Sequence, residues 1–469
     1  MKHLKNFTDS DLLVQCSGLL VLGLILIWQI SGKPIIFLPL FFLLSSLLLI
    51  LKPDLILYLF ILSFFFNQPI ISHGWMLSVQ LTDLLFPLIV VAFLANKNFQ
   101  LRALLSKQKT LFYLFTLFTL WAIVGFVINF YLHTTFENIT SLFFIYNLLQ
   151  MVICILLFSQ PQWKDYKNKV ISFFLFCITI EIFVSVFQAF SLKADSLIQL
   201  QQITGTFSKH HGMLGNVMAL SLAICFYGFF EFKEKLNRLL CVFIFILSLV
   251  LIFLSGSRSS ILGLMLAIPF STFLLLKNTP KKLILWGFSF ILCLALFLLT
   301  PLKNIVLNAL VSSQTGSIDL STYGRLLIWE RVLEHFLSGP WVQKIFGIGI
   351  GTFNSLRFSY YLEVGTFTTG AHNNFFHVFV EAGLVGLLIF ILILLNILMQ
   401  LVRNSRGRRR EYVGFLFVTL LLLFSCVTQE TFWFNPSFGR FWLLFLFLFL
   451  IICNYTEQPD RLISKENAT

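Results

Sequence analysis

Apolar runs of ~17 to 20 residues recur along this chain from end to end, each long enough to cross the hydrocarbon of a bilayer as a helix. That recurrence decides the fold class. Lipid offers the backbone no water, so a spanning run must satisfy its own N–H and C=O groups, as a helix or in a closed barrel. A barrel would show short segments of alternating polarity, and the sequence contains none. Composition agrees: charged residues make up 11% of the chain and hydrophobic residues 58%, whereas a soluble domain carries about 25% charged residues. The expectation is an all-α integral membrane protein with about fourteen (12–14) transmembrane helices.

The expected spans are 12–30, 34–51, 54–67, 79–95, 110–131, 141–158, 169–190, 213–230, 239–254, 260–276, 283–300, 375–401, 411–428 and 438–454. They divide into N-terminal helices at 1–190, a core at 191–454 that includes one long polar loop at 302–374, and a cytoplasmic tail at 455–469. The first run follows Lys2 and Lys5 but continues to Ile30 without a small-residue cleavage site, so it reads as a retained span.

Basic residues orient the bundle. With the N-terminus cytoplasmic, the inward connections hold Lys97, Arg102, Lys107, Lys109, Lys164, Lys167, Lys169, Lys233, Lys235, Arg238 and the cluster Arg403 to Arg410. The outward connections at 68–78, 132–140 and 429–437 hold no Lys or Arg. This bias places both termini inside. It also accounts for the net charge of +13 without nucleic acid. The eight cysteines all lie in apolar runs and none forms a CxxC pair, which argues for packing rather than a disulfide framework or a zinc site.

Positive charge on the disfavoured side asks for a reason, and an anionic ligand is one. The turn Ser255-Gly256-Ser257-Arg258-Ser259-Ser260 sets a guanidinium among hydroxyls at the end of two spans. Arg258 either snorkels to the interface or forks onto phosphate oxygens. Residues 325–337 carry apolar side chains at helical spacing and read as an amphipathic helix on the outer surface, with Ser321 and Thr322 as candidate caps and Arg325 at its start. Gly347-Ile348-Gly349-Ile350-Gly351-Thr352-Phe353 lacks the dinucleotide pattern and reads as tight turns or close backbone packing.

His372-Asn373-Asn374 then enters the next span, a costly set of groups to bring to lipid. His372 suits proton transfer or phosphate binding. His377 and Glu381 stand four apart on one helix face and read as a buried hydrogen-bonded pair; with His372 they do not converge on a metal. Gly205-Thr206-Phe207-Ser208-Lys209-His210-His211-Gly212 precedes Asn216, and its histidines suit an interface or a ligand equally.

In this order the pieces resemble the O-antigen ligase and polymerase superfamily over roughly residues 200–430. The resemblance rests on Gly205-Thr206-Phe207, the turn at Arg258, the helix start at Arg325, the glycine run at 347–353, His372-Asn373-Asn374 and Glu381-Ala-Gly-Leu-Val-Gly. It implies a C-type glycosyltransferase of the bacterial inner membrane with its active site on the periplasmic face. Such a protein moves glycan from an undecaprenyl-pyrophosphate donor to a glycan, lipid A-core or protein acceptor, with inversion and without cofactor or metal. A chain-length regulator is a further implied partner. Carried over, the catalytic residues are His372, Arg325 and Arg258, and the substrate-binding residues Lys209, His211, Asn373, Asn374 and Glu381. Glu381, Asp319 and Glu363 are alternative bases to His372. Polymerase is favoured over ligase and protein O-oligosaccharyltransferase. A lipid-linked glycan flippase or other transporter is the reading from another class, and a non-catalytic assembly partner a further one.

Overall fold

The computed structural model describes residues 55–65, 71–73, 77–95, 108–132, 135–160, 163, 166–191, 203, 205, 211–255, 257–275, 284, 286–288, 290–291, 320–353, 371–406, 410–427, 432 and 439–453. The expected spans 12–30 and 34–51 lie outside them, as does most of 283–300. The remaining expected spans each coincide with a helix. In chain order these are α1 (Leu55–Phe65), α2 (Leu81–Ala95), α3 (Lys109–Asn129), α4 (Thr135–Phe158), α5 (Lys167–Ser191), α6 (His211–Glu231), α7 (Lys235–Leu254) and α8 (Arg258–Leu275). Two helices of the long loop follow, α9 (Leu320–Ser338) and α10 (Trp341–Phe346), then α11 (Asn374–Arg406), α12 (Arg410–Ser425) and α13 (Gly439–Cys453). A short antiparallel hairpin, β1 (Ile71–His73) with β2 (Leu77–Val79), turns the chain between α1 and α2.

Among the described residues, six helices are long and apolar enough to cross a membrane: α3, α4, α5, α6, α7 and α11. The protein is therefore a multi-pass membrane protein by its helices. The apolar parts of α2, α8, α12 and α13 are shorter, so they fall short of the ~20 residues a straight span needs. The expected number of fourteen thus rests on the sequence pattern. Two boundaries differ from expectation. The 255–260 turn is tighter, since Arg258, Ser259 and Ser260 already belong to α8. Ser321 and Thr322 lie within α9, which begins at Leu320, so neither stands outside the helix where a cap must.

Packing follows from how apolar each helix is around its circumference. From Phe441 to Ile452 every residue of α13 is at most 1% exposed, as expected of a helix apolar on all sides at the centre of a bundle. It packs on α4, with Phe447 edge-on to Phe158 and Phe60. Peripheral helices instead leave stripes uncovered, such as Phe176, Phe183, Phe187 and Phe190 on α5 and Leu236, Phe243, Ile246 and Val250 on α7. In a membrane protein acyl chains cover such faces. The six described cysteines are buried, in line with a packing role.

Polarity is segregated along the bundle axis. Thr82 and Asp83 at the start of α2, Asn129 at the end of α3, Asn216 near the start of α6, and Ser425 at the end of α12 are buried at one end. Lys109, Lys167, Lys169, Lys233, Lys235 and Arg238 flank helices at the other. At the polar end a buried ion pair joins Asp83 to Arg440 of α13, with Oδ2 and a guanidinium nitrogen 2.5 Å apart. The same carboxylate accepts from the Gln80 amide at 2.9 Å and from Gln150 at 3.4 Å, while Tyr146 donates to the Asp83 carbonyl. Removing one partner leaves a buried charge uncompensated, which costs about 3–5 kcal/mol, whereas an apolar replacement of both is close to neutral. Asp83→Ala is therefore expected to lower the unfolding temperature in detergent steeply. The double variant Asp83→Leu/Arg440→Met should recover most of the loss.

Candidate functional site

The site is built on a backbone turn. Helix α12 ends at Ser425, and Cys426 and Val427 leave it with carbonyls that no further helical turn can use. Both are taken by the His-Asn-Asn corner, while the last residue of the helix reaches the Ser-Arg turn. The Ser425 hydroxyl donates to the carbonyl of Ser259 in the first turn of α8 at 3.0 Å. The Cys426 carbonyl accepts from the Asn374 amide at 2.9 Å, and the Val427 carbonyl from the Asn373 side chain at 3.0 Å. Three consecutive residues thus join the Ser-Arg turn to the His-Asn-Asn corner, 114 positions apart by sequence (372 minus 258).

On the α8 side, hydroxyls cluster around the helix start. Ser257 Oγ lies 3.2 Å from Ser259 Oγ and 2.8 Å from Ser260 Oγ, and Ser260 donates to the Asn216 carboxamide oxygen at 3.3 Å. Asn216 and the three serines are buried. Arg258 is the first residue of α8, so its backbone sits at the positive end of the helix dipole. Its side chain lies outside what is described.

On the α11 side, Asn373 caps the helix. Its Oδ1 accepts from the amides of Phe375 at 2.9 Å and Phe376 at 3.2 Å, which satisfies two of the donors that a helix N-terminus leaves open. Asn374, fully buried, accepts from the Phe432 amide at 3.2 Å through its own carboxamide. Between these anchors and the 320–353 segment stands His372, half-buried and left-handed at φ 50°. A non-glycine residue held there stores strain of order 1–3 kcal/mol and persists only because its neighbours over-determine it.

The glycine run holds the next turn of α11. At Gly383 the helix is interrupted, with φ 70° and ψ −174°. The backbone of 347–349 docks against that break, Ile348 N–H to the Val380 carbonyl at 2.9 Å and Gly349 N–H to the Glu381 carbonyl at 3.1 Å. A Cβ on Gly347 would collide with the Glu381 carbonyl, and one on Gly383 with the Ile345 carbonyl. Close backbone packing is what Gly347 and Gly383 provide. Trp121 of α3 adds an indole N–H to the Ala382 carbonyl at 2.8 Å and stacks on Phe346 at 4.7 Å.

His377 and Glu381 form the expected buried pair, Nε2 to Oε1 at 3.2 Å. The same oxygen accepts from the Phe353 amide at 2.9 Å, and the Phe353 ring lies over His377. Glu381 is 1% exposed. Its carboxylate therefore fastens the glycine run to α11.

Arg325 arrives by way of α9. Ile328 and Val332 are fully buried against Ile348, Phe353, Ala371 and Val380. Trp329 stacks on Phe376 at 5.6 Å and donates its indole N–H to the Ala371 carbonyl at 2.8 Å. Arg325 precedes Trp329 by four residues on the same face, about 6 Å along the axis. It is half-buried. Three motifs from distant parts of the chain thus reach the polar end together: the Arg258 turn, the Arg325 helix and the His372 corner.

Residues 243–391 match a family model, that of the O-antigen ligases. This stretch is similar to the O-antigen ligases, in support of the resemblance read from the motifs. It covers about a third of the chain and contains Arg258, Arg325, the glycine run, His372 to Asn374 and Glu381. The family supports glycosyl-transfer activity and a membrane glycan-processing role. No curated protein matches the chain.

Lys209 lies outside the described residues, and His211 is placed only as the first residue of α6. Their loop lies outside the family match, but its Gly205 is described: Gln188 of α5 donates to its carbonyl at 2.8 Å and accepts from its amide at 2.9 Å. Sequence reasoning missed Gln188, Trp329, Ser425 and the Asp83–Arg440 pair. Only the charges at 83 and 440, each within an apolar run, carried a signal that could have found them.

The clamp at the α11 break is testable. Gly383→Ala places a Cβ on a backbone atom at a positive φ, so both strain and collision oppose it. It should lower the amount of folded protein in membranes strongly, while Gly287→Ala, with nothing within 4 Å, should leave it unchanged. Immunoblots of matched membranes measure both.

Proposed function

We propose that this protein is a membrane glycosyltransferase that extends or transfers surface glycan from an undecaprenyl-pyrophosphate donor, with polymerisation the favoured job. The observation that carries the reading is the convergence of the Arg258 turn, the Arg325 helix and the His372 corner on one polar end. Lys109, Lys167, Lys169, Lys233 and Lys235 flank helices at the opposite end of the bundle, which supports a cytoplasmic face there and an outward site.

The chemistry suits these groups. As the glycosidic bond to the lipid pyrophosphate breaks, negative charge grows on the leaving oxygen. Guanidiniums fixed in a partly dry site stabilise that charge more than they stabilise the intact donor, which is what accelerates the step. The serine hydroxyls and the first amides of α8 add donors beside Arg258. His372 takes the proton of the acceptor hydroxyl as it attacks the anomeric carbon from the face opposite the pyrophosphate, so the configuration inverts. Asn373 and Asn374 hold that histidine's backbone, and Glu381 holds the segment behind it. The shared donor site serves a glycan, lipid A-core or protein acceptor alike.

Transport is the second reading. Glu181 favours it: a carboxylate 1% exposed in the middle of α5, where intramembrane charge often marks a substrate path. It lies against Gly205, which fits a loop anchor equally.

Deletion and complementation separate the readings. His372→Gly relieves the left-handed strain, so loss of activity in that variant is not loss of fold. Arg258→Ala, Arg325→Ala and His372→Gly should each be present in membranes at wild-type amounts and reduce glycan transfer by about a hundredfold or more. On a gel of surface glycan, a single repeat still attached marks a polymerase, and no attachment marks a ligase. Full complementation by all three variants would overturn the catalytic reading and bring transport forward.

A further inference from the structure

Arg325 and His372 belong to different elements, and the packing between those elements is mostly apolar and non-directional. Ile328, Val332, Val380 and Ala371 bury together, and Phe336 lies against Phe379. Apolar contacts of this kind hold α9 against α11 without fixing its height along that helix. A directional contact does so at the level of the site: Trp329 Nε1–H to the Ala371 carbonyl, at 2.8 Å. The carbonyl it takes belongs to the peptide bond that leads into His372. The indole ring lies nearly parallel to Phe376, four residues after His372 and one of the two amides capped by Asn373. On its own helix, Trp329 stands one turn beyond Arg325. A single side chain therefore touches both the strained corner and the helix that carries the arginine.

We infer that Trp329 is a positioning residue that sets the separation and angle between Arg325 and His372; the inference rests on the transferase reading above. Its indole N–H aligns the peptide plane entering His372, and its ring fixes the rotation of α9. It touches no substrate. A guanidinium placed for the leaving pyrophosphate and an imidazole placed for the acceptor must hold their mutual geometry closely, because a displacement of about 1 Å can cost on the order of a hundredfold in rate.

The test replaces the N–H while keeping the ring. Benzothienylalanine at position 329 has sulfur where the indole has N–H, so shape is retained and the donor is lost; Trp329→Phe is the genetically simple counterpart. Two readouts are taken on the full-length protein in membranes. The first is hydrogen exchange of the 374–377 amides, which in the native protein bond to Cys426 and to Asn373. The second is transfer from lipid-linked glycan with donor varied. Exchange at 374–377 should rise several-fold while 386–401 stays unchanged. The value of kcat should fall by about tenfold to a hundredfold with donor KM moved less than about threefold. Unchanged exchange at 374–377 overturns the inference whatever the activity does, and so does a wild-type kcat. Raised exchange with a wild-type protein that itself transfers no glycan would instead remove the transferase reading and leave the coupling of the two elements in place.

Discussion

Within a bilayer every backbone polar group has to find a partner inside the protein, and a helix that stops short leaves four carbonyls or four amides without one. This chain stops helices short at one end of its bundle and then accounts for the groups so exposed. Where α12 ends, Cys426 and Val427 give their carbonyls to Asn374 and Asn373. Where α11 breaks, at Gly383, the glycine run brings amides to the carbonyls of Val380 and Glu381. The places where regular structure lapses are thus the places where distant segments are joined.

That arrangement makes irregular backbone at membrane depth affordable, and it concentrates polar groups. The serines around Arg258, the capping asparagines and the left-handed His372 all depend on it. The bond from Ser425 to Ser259, together with the close packing of α8 on α12, relates the α8 start to the corner at 372. Charge is handled in the same way. Asp83 and Arg440 neutralise one another inside the bundle, and Glu381 is satisfied by His377 and the Phe353 amide. Arg325 and His372 are each half-buried rather than sealed.

Much of this was legible in the residues. Hydropathy located every span that the structure describes, because a helix in lipid must be apolar for its length. The spacing of His377 and Glu381 announced their pairing, and the glycine run announced the close backbone packing seen at Gly347. The link at 425–427 was not legible, since it is made by main-chain carbonyls that any residue supplies. Trp329 was hidden for a related reason: a tryptophan in an amphipathic helix is ordinarily an interfacial anchor, and only its partner across the fold distinguishes it. At α12 the expected span ran to 428, whereas the helix ends at Ser425 and its apolar part falls short of the length a straight span needs.

The central claim is that the Arg258 turn and the His372 corner lie side by side at one end of the bundle. Cysteine cross-linking in native membranes tests it directly, with Arg258→Cys/His372→Cys treated with a short bifunctional thiol reagent. A control pairs Arg258→Cys with Lys235→Cys, at the two ends of the α7–α8 hairpin and about 30 Å apart by helix length. The arrangement described here predicts efficient linkage of the first pair and none of the second. Failure of the first pair to link, in protein that is present and folded, would contradict it.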